Sequence, residues 1–316
     1  MIRVTHKAKH YLLIVSKVLI LTLAFGYIYY KLRNDTLFID SNFFSTFYSP
    51  SAILTVTFFI FLAMANWFFE ILKWKILVST FKTITFFTAL KQSLAALTVS
   101  LITPNRIGDY GAKALFFKKG KRKRILFLNF IGNSAQLLVT SVFGLIGLVY
   151  LLFNFEVRFA SEKIFLVFGF ILLAMFGVYF LRKKTWFFNG LTFKNIWMKL
   201  KELKAKTKIK IVMFSVFRYL IFSSLFYLLL RFFGGKTPYL EAIFLIFAMY
   251  LFVSIIPTFF VLDIVVRGGV AIWLFSLVGV TELTVLSAVL AMWILNFMLP
   301  AIWGSFYVIN HKSISQ

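Results

Sequence analysis

Several stretches of this chain run for about twenty residues with little or no charge, the length a helix needs to cross the ~30 Å hydrocarbon core of a bilayer. In lipid every backbone N–H and C=O must find its partner within the protein, so a spanning segment is a helix or part of a closed barrel. A barrel would show alternating segments of ~10 residues, and these runs are continuous. The chain therefore reads as an all-α integral membrane protein. Composition agrees: 61% of the 316 residues are hydrophobic and 14% are charged, against roughly 25% charged in soluble domains.

The formal net charge of +25 is carried in blocks between the apolar runs. Such blocks mark cytoplasmic loops and contact anionic lipid. No nucleic-acid recognition motif accompanies them, so nucleic acid is not the expected partner. With no cysteine, disulfides, thiol catalysis and cysteine-ligated metals are excluded. His6 and His10 share a helical face but lack a third ligand, so no metal site is expected. GKRKR lacks the glycine spacing and the Ser/Thr of a phosphate-binding loop. No Ser-His-Asp or HExxH arrangement occurs, and nothing calls for a cofactor.

Arg3, Lys7 and Lys9 place the N-terminus in the cytoplasm, and residues 11–30 cross outward as a retained anchor. Residues 31–50 form an outer loop, residues 52–78 return, and Trp74 between Lys73 and Lys75 marks the interface. Residues 84–103 then enter from the cytoplasmic side. Had they crossed, Lys118, Lys119, Lys121, Arg122, Lys123 and Arg124 would lie outside, against the charge bias. A re-entrant hairpin resolves the conflict, entering along 84–103, breaking at Pro104 and leaving along 109–118. Residues 125–153 cross outward, 164–181 return, and the basic connector 182–210 is cytoplasmic. Its portion KNIWMKLKELKAKTKIK reads either as a surface amphipathic helix or as a solvated linker. Residues 211–232 cross outward. Residues 239–256 enter from outside, Pro257 breaks the helix, 270–280 lead back, and 284–309 return to a cytoplasmic C-terminus at Lys312.

The expectation is thus a single polytopic domain over residues 1–316, with six full spans plus two re-entrant hairpins. Residues 52–153 and 211–309 match in order and oppose in orientation, as an inverted repeat joined by the linker 182–210. Each hairpin has a proline, an acid five or six residues later and a base four beyond it: Pro104, Asp109, Lys113 and Pro257, Asp263, Arg267. A spacing of four puts acid and base on one helical face. Proline-interrupted segments in corresponding halves point to a transporter's binding site.

Arg106, Asp109 and Lys113 are read as substrate-binding, together with Asp263 and Arg267. A charge at bilayer depth costs at least ~2.5 kcal/mol on insertion scales, so each needs a partner. Two bases and one acid in the first hairpin leave a positive excess suited to a phosphate, and arginine offers a planar fork for it. The bland reading is an ion-pair cluster that stabilises the hairpin. Asn129, Asn133 and Gln136 fall at i, i+4, i+7 and either line the polar path or hydrogen-bond between helices. Arg218 lies inside its span and calls for an acid, with Glu70 one candidate, although Glu70 is also near Lys73.

PNRIGDYGAKAL, with LKWKIL upstream of it, and IPTFFVLDIVVRGGVAIWLFSLVGV in the second half resemble the lysylphosphatidylglycerol synthase transmembrane-region family over residues 11–308. In place of that family's usual Glu and Arg, this chain has Asp109 and Lys113, and Asp263 stands where glycines are commoner. The resemblance implies a flippase-like membrane domain in its stand-alone form. No synthase domain is read in these residues, so lysyl transfer is not carried over. The resulting expectation is a transporter in a bacterial inner membrane. It moves an anionic phospholipid or a polyprenyl-linked, phosphate-bearing substrate, with a homo-oligomer as an option. The rivals are a membrane-embedded enzyme on a lipid-linked substrate, which needs a paired acid and base, and an accessory subunit of envelope-lipid synthesis.

The topology is testable because the chain has no native thiols. Single cysteines at Gly120 and Thr192 should react with a membrane-impermeant maleimide only after the cells are opened. Labelling of either one in intact cells would rule out the hairpin over residues 84–118.

Overall fold

Proline and apolar length together set where the helices start and stop. The computed structural model describes residues 52–103, 107–155, 200–256 and 261–310, and no strand occurs among the described residues. Helix α1 covers Ala52–Ser79 and α2 Phe86–Ile102. Helix α3, Gly108–Leu115, is followed by a 3₁₀ turn at Lys119–Lys121 and then by α4, Arg122–Asn154. In the second half α5 covers Ala205–Phe232, α6 Tyr239–Ile255 and α7 Val261–Ser276. Helix α8, Glu282–Trp293, runs through a π turn at Ile294–Met298 into α9, Leu299–Ile309.

Among the described residues four helical segments are long and apolar enough to cross a membrane: α1, α4 with its preceding turn, α5, and α8 through α9. The expected spans over 11–30 and 164–181 lie outside the described residues, as do Pro104, Arg106, Pro257 and Lys312. So does most of the connector 182–210; from Ala205 onward it belongs to α5 rather than to a linker. Helix α5 begins ahead of residue 211 because lysine is a good helix former whose apolar stem extends the apolar face while its ammonium reaches water.

The breaks obey the residue before proline. Thr103 (φ −109°, ψ 144°) and Ile256 (φ −83°, ψ 117°) are both extended, and each precedes a proline whose ring disfavours helix there. The Thr103 hydroxyl then accepts from the Gly108 N–H at 2.8 Å, satisfying a first-turn donor of α3. Helix α3 has 8 residues, about 12 Å of rise, well short of a bilayer. Helix α7 restarts by Val261, so Asp263 and Arg267 sit on regular helix.

The two halves share measurable dimensions. Helices α1 and α5 each have 28 residues, and α2 and α6 each have 17. The start of α5 follows the start of α1 by the same interval as α6 follows α2. Helix α4 packs along α6, and α9 packs along α2. Helix α1 lies against α5, α3 against α4, and α7 against α8. Exchanging α1–α4 with α5–α9 turns α4–α6 into α9–α2 and α3–α4 into α7–α8, and maps α1–α5 onto itself. Among the described residues the largest buried cluster gathers α1, α4, α5, α6, α7 and α8 around Phe226, Leu245, Ile246 and Phe275.

Glycine permits both crossings between the halves. A Cβ on Gly147 of α4 would overlap the Phe244 carbonyl and the Ala248 N–H of α6. A Cβ on Gly304 of α9 would overlap the Leu94 carbonyl and the Thr98 hydroxyl of α2. Small residues at such points let helix backbones approach closely, the means by which helices associate in lipid. The Thr98 hydroxyl uses that proximity to donate to the Ala301 carbonyl at 2.9 Å.

Gly304→Ala and Gly147→Ala should therefore each lower stability by about 1–3 kcal/mol, because backbone cannot yield as a flexible side chain would. Gly269→Ala, with no neighbour within 4 Å of its Cβ, should be neutral or stabilising. Melting temperatures of the detergent-purified proteins decide it; equal behaviour of all three would refute the close crossings.

Candidate functional site

Ionic side chains in apolar helices must be partnered, and the partnerships here form three units. The first ties α3 to α4. Lys113 Nζ lies 3.1 Å from Asp109 Oδ1, one turn away on α3, and donates to Asn129 Oδ1 at 2.8 Å. Asn129 Nδ2 returns to Asp109 Oδ2 at 2.6 Å, and Asn133 Nδ2 reaches the same oxygen at 3.4 Å. Lys113 also sits 4.6 Å from the Trp74 ring centroid, while the Trp74 indole donates to Gln92 Oε1 at 2.8 Å. Lys113 and Asn129 are buried. The ammonium thus has a carboxylate, an amide oxygen and an aromatic face, which together replace its hydration shell.

The second unit joins α1 to α5. Glu70 Oε2 is 2.6 Å from Arg218 Nη1 and 2.8 Å from Lys73 Nζ, so one carboxylate serves two cations. Both partners weighed for Glu70 in the sequence, the distant arginine and the local lysine, are engaged at once. Arg218 Nε donates to Asn66 Oδ1 at 3.2 Å, and Asn66 Nδ2 donates to Asn296 Oδ1 at 2.8 Å. Asn296 lies in the π turn upstream of Pro300. A proline has no N–H for the carbonyl four residues back, and that carbonyl, Asn296 O, accepts instead from the Trp67 indole at 3.0 Å. Gln136 closes the unit with long contacts of 3.5 Å to Lys73 Nζ and to the Ser215 carbonyl.

The third unit is a pair within α7. Arg267 Nη2 is 3.1 Å from both Asp263 oxygens, one turn apart on α7. The guanidinium lies 5.9 Å from the Tyr250 ring centroid and 5.8 Å from that of Phe297. Arg267 Nε and the Tyr250 hydroxyl are buried with no hydrogen-bond partner among the described residues.

Units two and three face each other across a cavity of about 540 Å³. Asn66, Gln136, Arg218, Tyr250, Asp263 and Arg267 bring polar atoms to its wall, and Phe222 and Phe297 bring apolar surface. Of the residues read from sequence, the structure gathers Gln136, Arg218, Asp263 and Arg267 on this wall. Asp109, Lys113, Asn129 and Asn133 form the separate enclosed unit. Arg106 lies outside the described residues. Asn66, Asn296 and Tyr250 escaped the sequence reading, although an asparagine within an apolar run is itself a signal, since its amide must find a partner in lipid.

Electrostatics give the cavity a sign. Its wall holds two guanidiniums and one carboxylate, and the Glu70 carboxylate behind Arg218 is divided with Lys73. Across Glu70, Lys73, Arg218, Asp263 and Arg267 the cations outnumber the anions by one. The unpartnered Arg267 Nε is a further donor in want of an acceptor. Such a cavity suits an oxygen-rich anion, with each arginine able to present a planar fork.

No curated protein and no solved structure matches the chain. The family model described as lysylphosphatidylglycerol synthase TM region matches residues 14–304, a range that takes in both proline breaks and every polar unit above. The chain belongs to the lysylphosphatidylglycerol synthase TM region family.

Proposed function

We propose that the protein is a flippase-like transporter that moves an anionic lipid, or a lipid-linked substrate bearing phosphate, across a bacterial inner membrane. The observation that carries this reading is the cationic cavity, where Arg218 and Arg267 face one space and Arg267 Nε has no acceptor among the described residues. The substrate's phosphate oxygens bind the two guanidiniums. Asp263 orients Arg267, Glu70 orients Arg218, and the acyl or prenyl tails stay in the bilayer. Because only the headgroup enters, no wide aqueous pore is needed.

Two further features support transport over static binding. The equal helix lengths and the exchangeable packing pairs fit an inverted repeat of the halves, the construction that lets one element rock against its counterpart around a fixed site. The short α3 and the extended residues before each proline fit hairpins that enter and leave on one side. In this reading Asp109 and Lys113 hold the first hairpin on α4, and Arg106, three residues past the extended Thr103, supplies a further phosphate partner.

Arg267→Ala and Asp263→Ala should each destabilise the protein by about 3–5 kcal/mol, because the survivor is left as an uncompensated buried charge. The double variant should recover most of the melting temperature but no flux in liposomes if Arg267 also binds substrate. Recovery of both would reduce the pair to a structural role.

Arg106→Ala should abolish flux with membrane insertion intact, and Arg106→Lys should restore part of it, since an ammonium cannot bind bidentately. Normal flux in Arg106→Ala liposomes would remove that residue from the site.

A further inference from the structure

A second cavity lies away from the first and differs in character. It has a volume of about 760 Å³ and opens where the end of α1, the start of α4 and the segment leading into α5 meet. Arg124, Lys204, Lys206 and Lys210 bring four cations to its wall, against the single carboxylate of Glu202. Among the described residues no carboxylate forms an ion pair with any of the four. Arg124 stacks instead over the Phe81 ring, 4.9 Å from its centroid. Ile76, Phe127, Leu128 and Leu203 give the same cavity an apolar floor. It shares no wall residue with the central cavity, and from Asn66 to Ile76 along α1 the two are separated by about 15 Å.

Four cations around one cleft repel one another, and an anion seated among them relieves that repulsion. A floor of aliphatic and aromatic side chains beneath the cations suits a ligand with a charged head and an apolar stem. The basic residues also belong to the loops that the charge bias places on one face of the membrane, where anionic phospholipids are within reach. We propose that this cavity binds the phosphate of an anionic phospholipid from that leaflet, as a site separate from the transported substrate. Arg124, from the start of α4, and Lys204, Lys206 and Lys210, around the start of α5, grip the phosphate. The lipid thereby bridges the two halves of the chain, with its first carbons resting on Phe127 and Leu203. Soluble phosphate offers the same anionic oxygens but no stem to cover that floor.

The inference stands apart from the transport reading, and native mass spectrometry of the full-length protein tests it. The probes are short-chain phosphatidylglycerol, phosphatidylcholine of equal chain length, and inorganic phosphate. The wild type should retain phosphatidylglycerol in preference to phosphatidylcholine. Lys204→Gln/Lys206→Gln should weaken that binding by about tenfold, whereas Lys118→Gln/Lys119→Gln, which removes equal charge outside the cavity, should not. Arg124→Gln, a milder change, should weaken it in the same direction if the double variant proves unstable. Arg267→Gln should leave the Lys204- and Lys206-dependent binding in place, which separates failure here from failure of the central site. Equal losses in both double variants would mean diffuse surface attraction and overturn the site. Displacement of the lipid by millimolar inorganic phosphate would overturn phospholipid as its occupant.

Discussion

The Glu70 carboxylate, held between Lys73 and Arg218, is the interaction on which the rest of this arrangement depends. It joins α1 to α5, the helices that meet where the two halves abut. An unpaired charge at that depth would cost several kcal/mol, so the three groups constrain one another's positions. Because one anion is divided between two cations, the arginine keeps hydrogen-bonding capacity for Asn66 and for the cavity. A fully neutral pair would have left the cavity without a sign.

From that centre the constraint spreads through amides rather than charges. Asn66 passes it to Asn296 in the π turn, and Trp67 takes the backbone carbonyl that Pro300 leaves without an N–H partner. The irregular turn is therefore satisfied by side chains of α1, as irregular backbone buried within a membrane protein must be. The same logic operates at the start of α3, where Thr103 caps the helix and Asn129 completes the Asp109–Lys113 pair. In both places a side chain takes up a backbone group that has no partner within its own helix.

Much of the helical frame was legible from the sequence, because apolar length and proline act locally. The breaks before Pro104 and Pro257 show directly as extended residues at Thr103 and Ile256. The i, i+4 pairs Asp109–Lys113 and Asp263–Arg267 both form, since helix geometry alone brings such residues together. Less legible was the division of labour among the polar residues. Asn129, Asn133 and Gln136 lie on one stripe of α4, yet the first two face Asp109 while Gln136 reaches the cavity. Which neighbour meets which part of the stripe depends on how α3 and α5 cross α4.

Hydropathy, the charge blocks and the prolines were enough to establish a helical membrane protein with paired interruptions, because each reports a solvent or backbone preference of its own segment. Where those segments meet was decided by tertiary packing. The approach of α4 to α6 and of α9 to α2 depends on glycines whose meaning appears only when the opposing backbone is in place. The joining of Arg218 with Arg267 in one cavity, and of Arg124 with Lys204 and Lys206 in another, likewise follows from helix crossings between residues distant in sequence. Local propensity says that a buried charge must have a partner; only the packed fold selects which one, because the electrostatic gain depends on distances that no single segment controls.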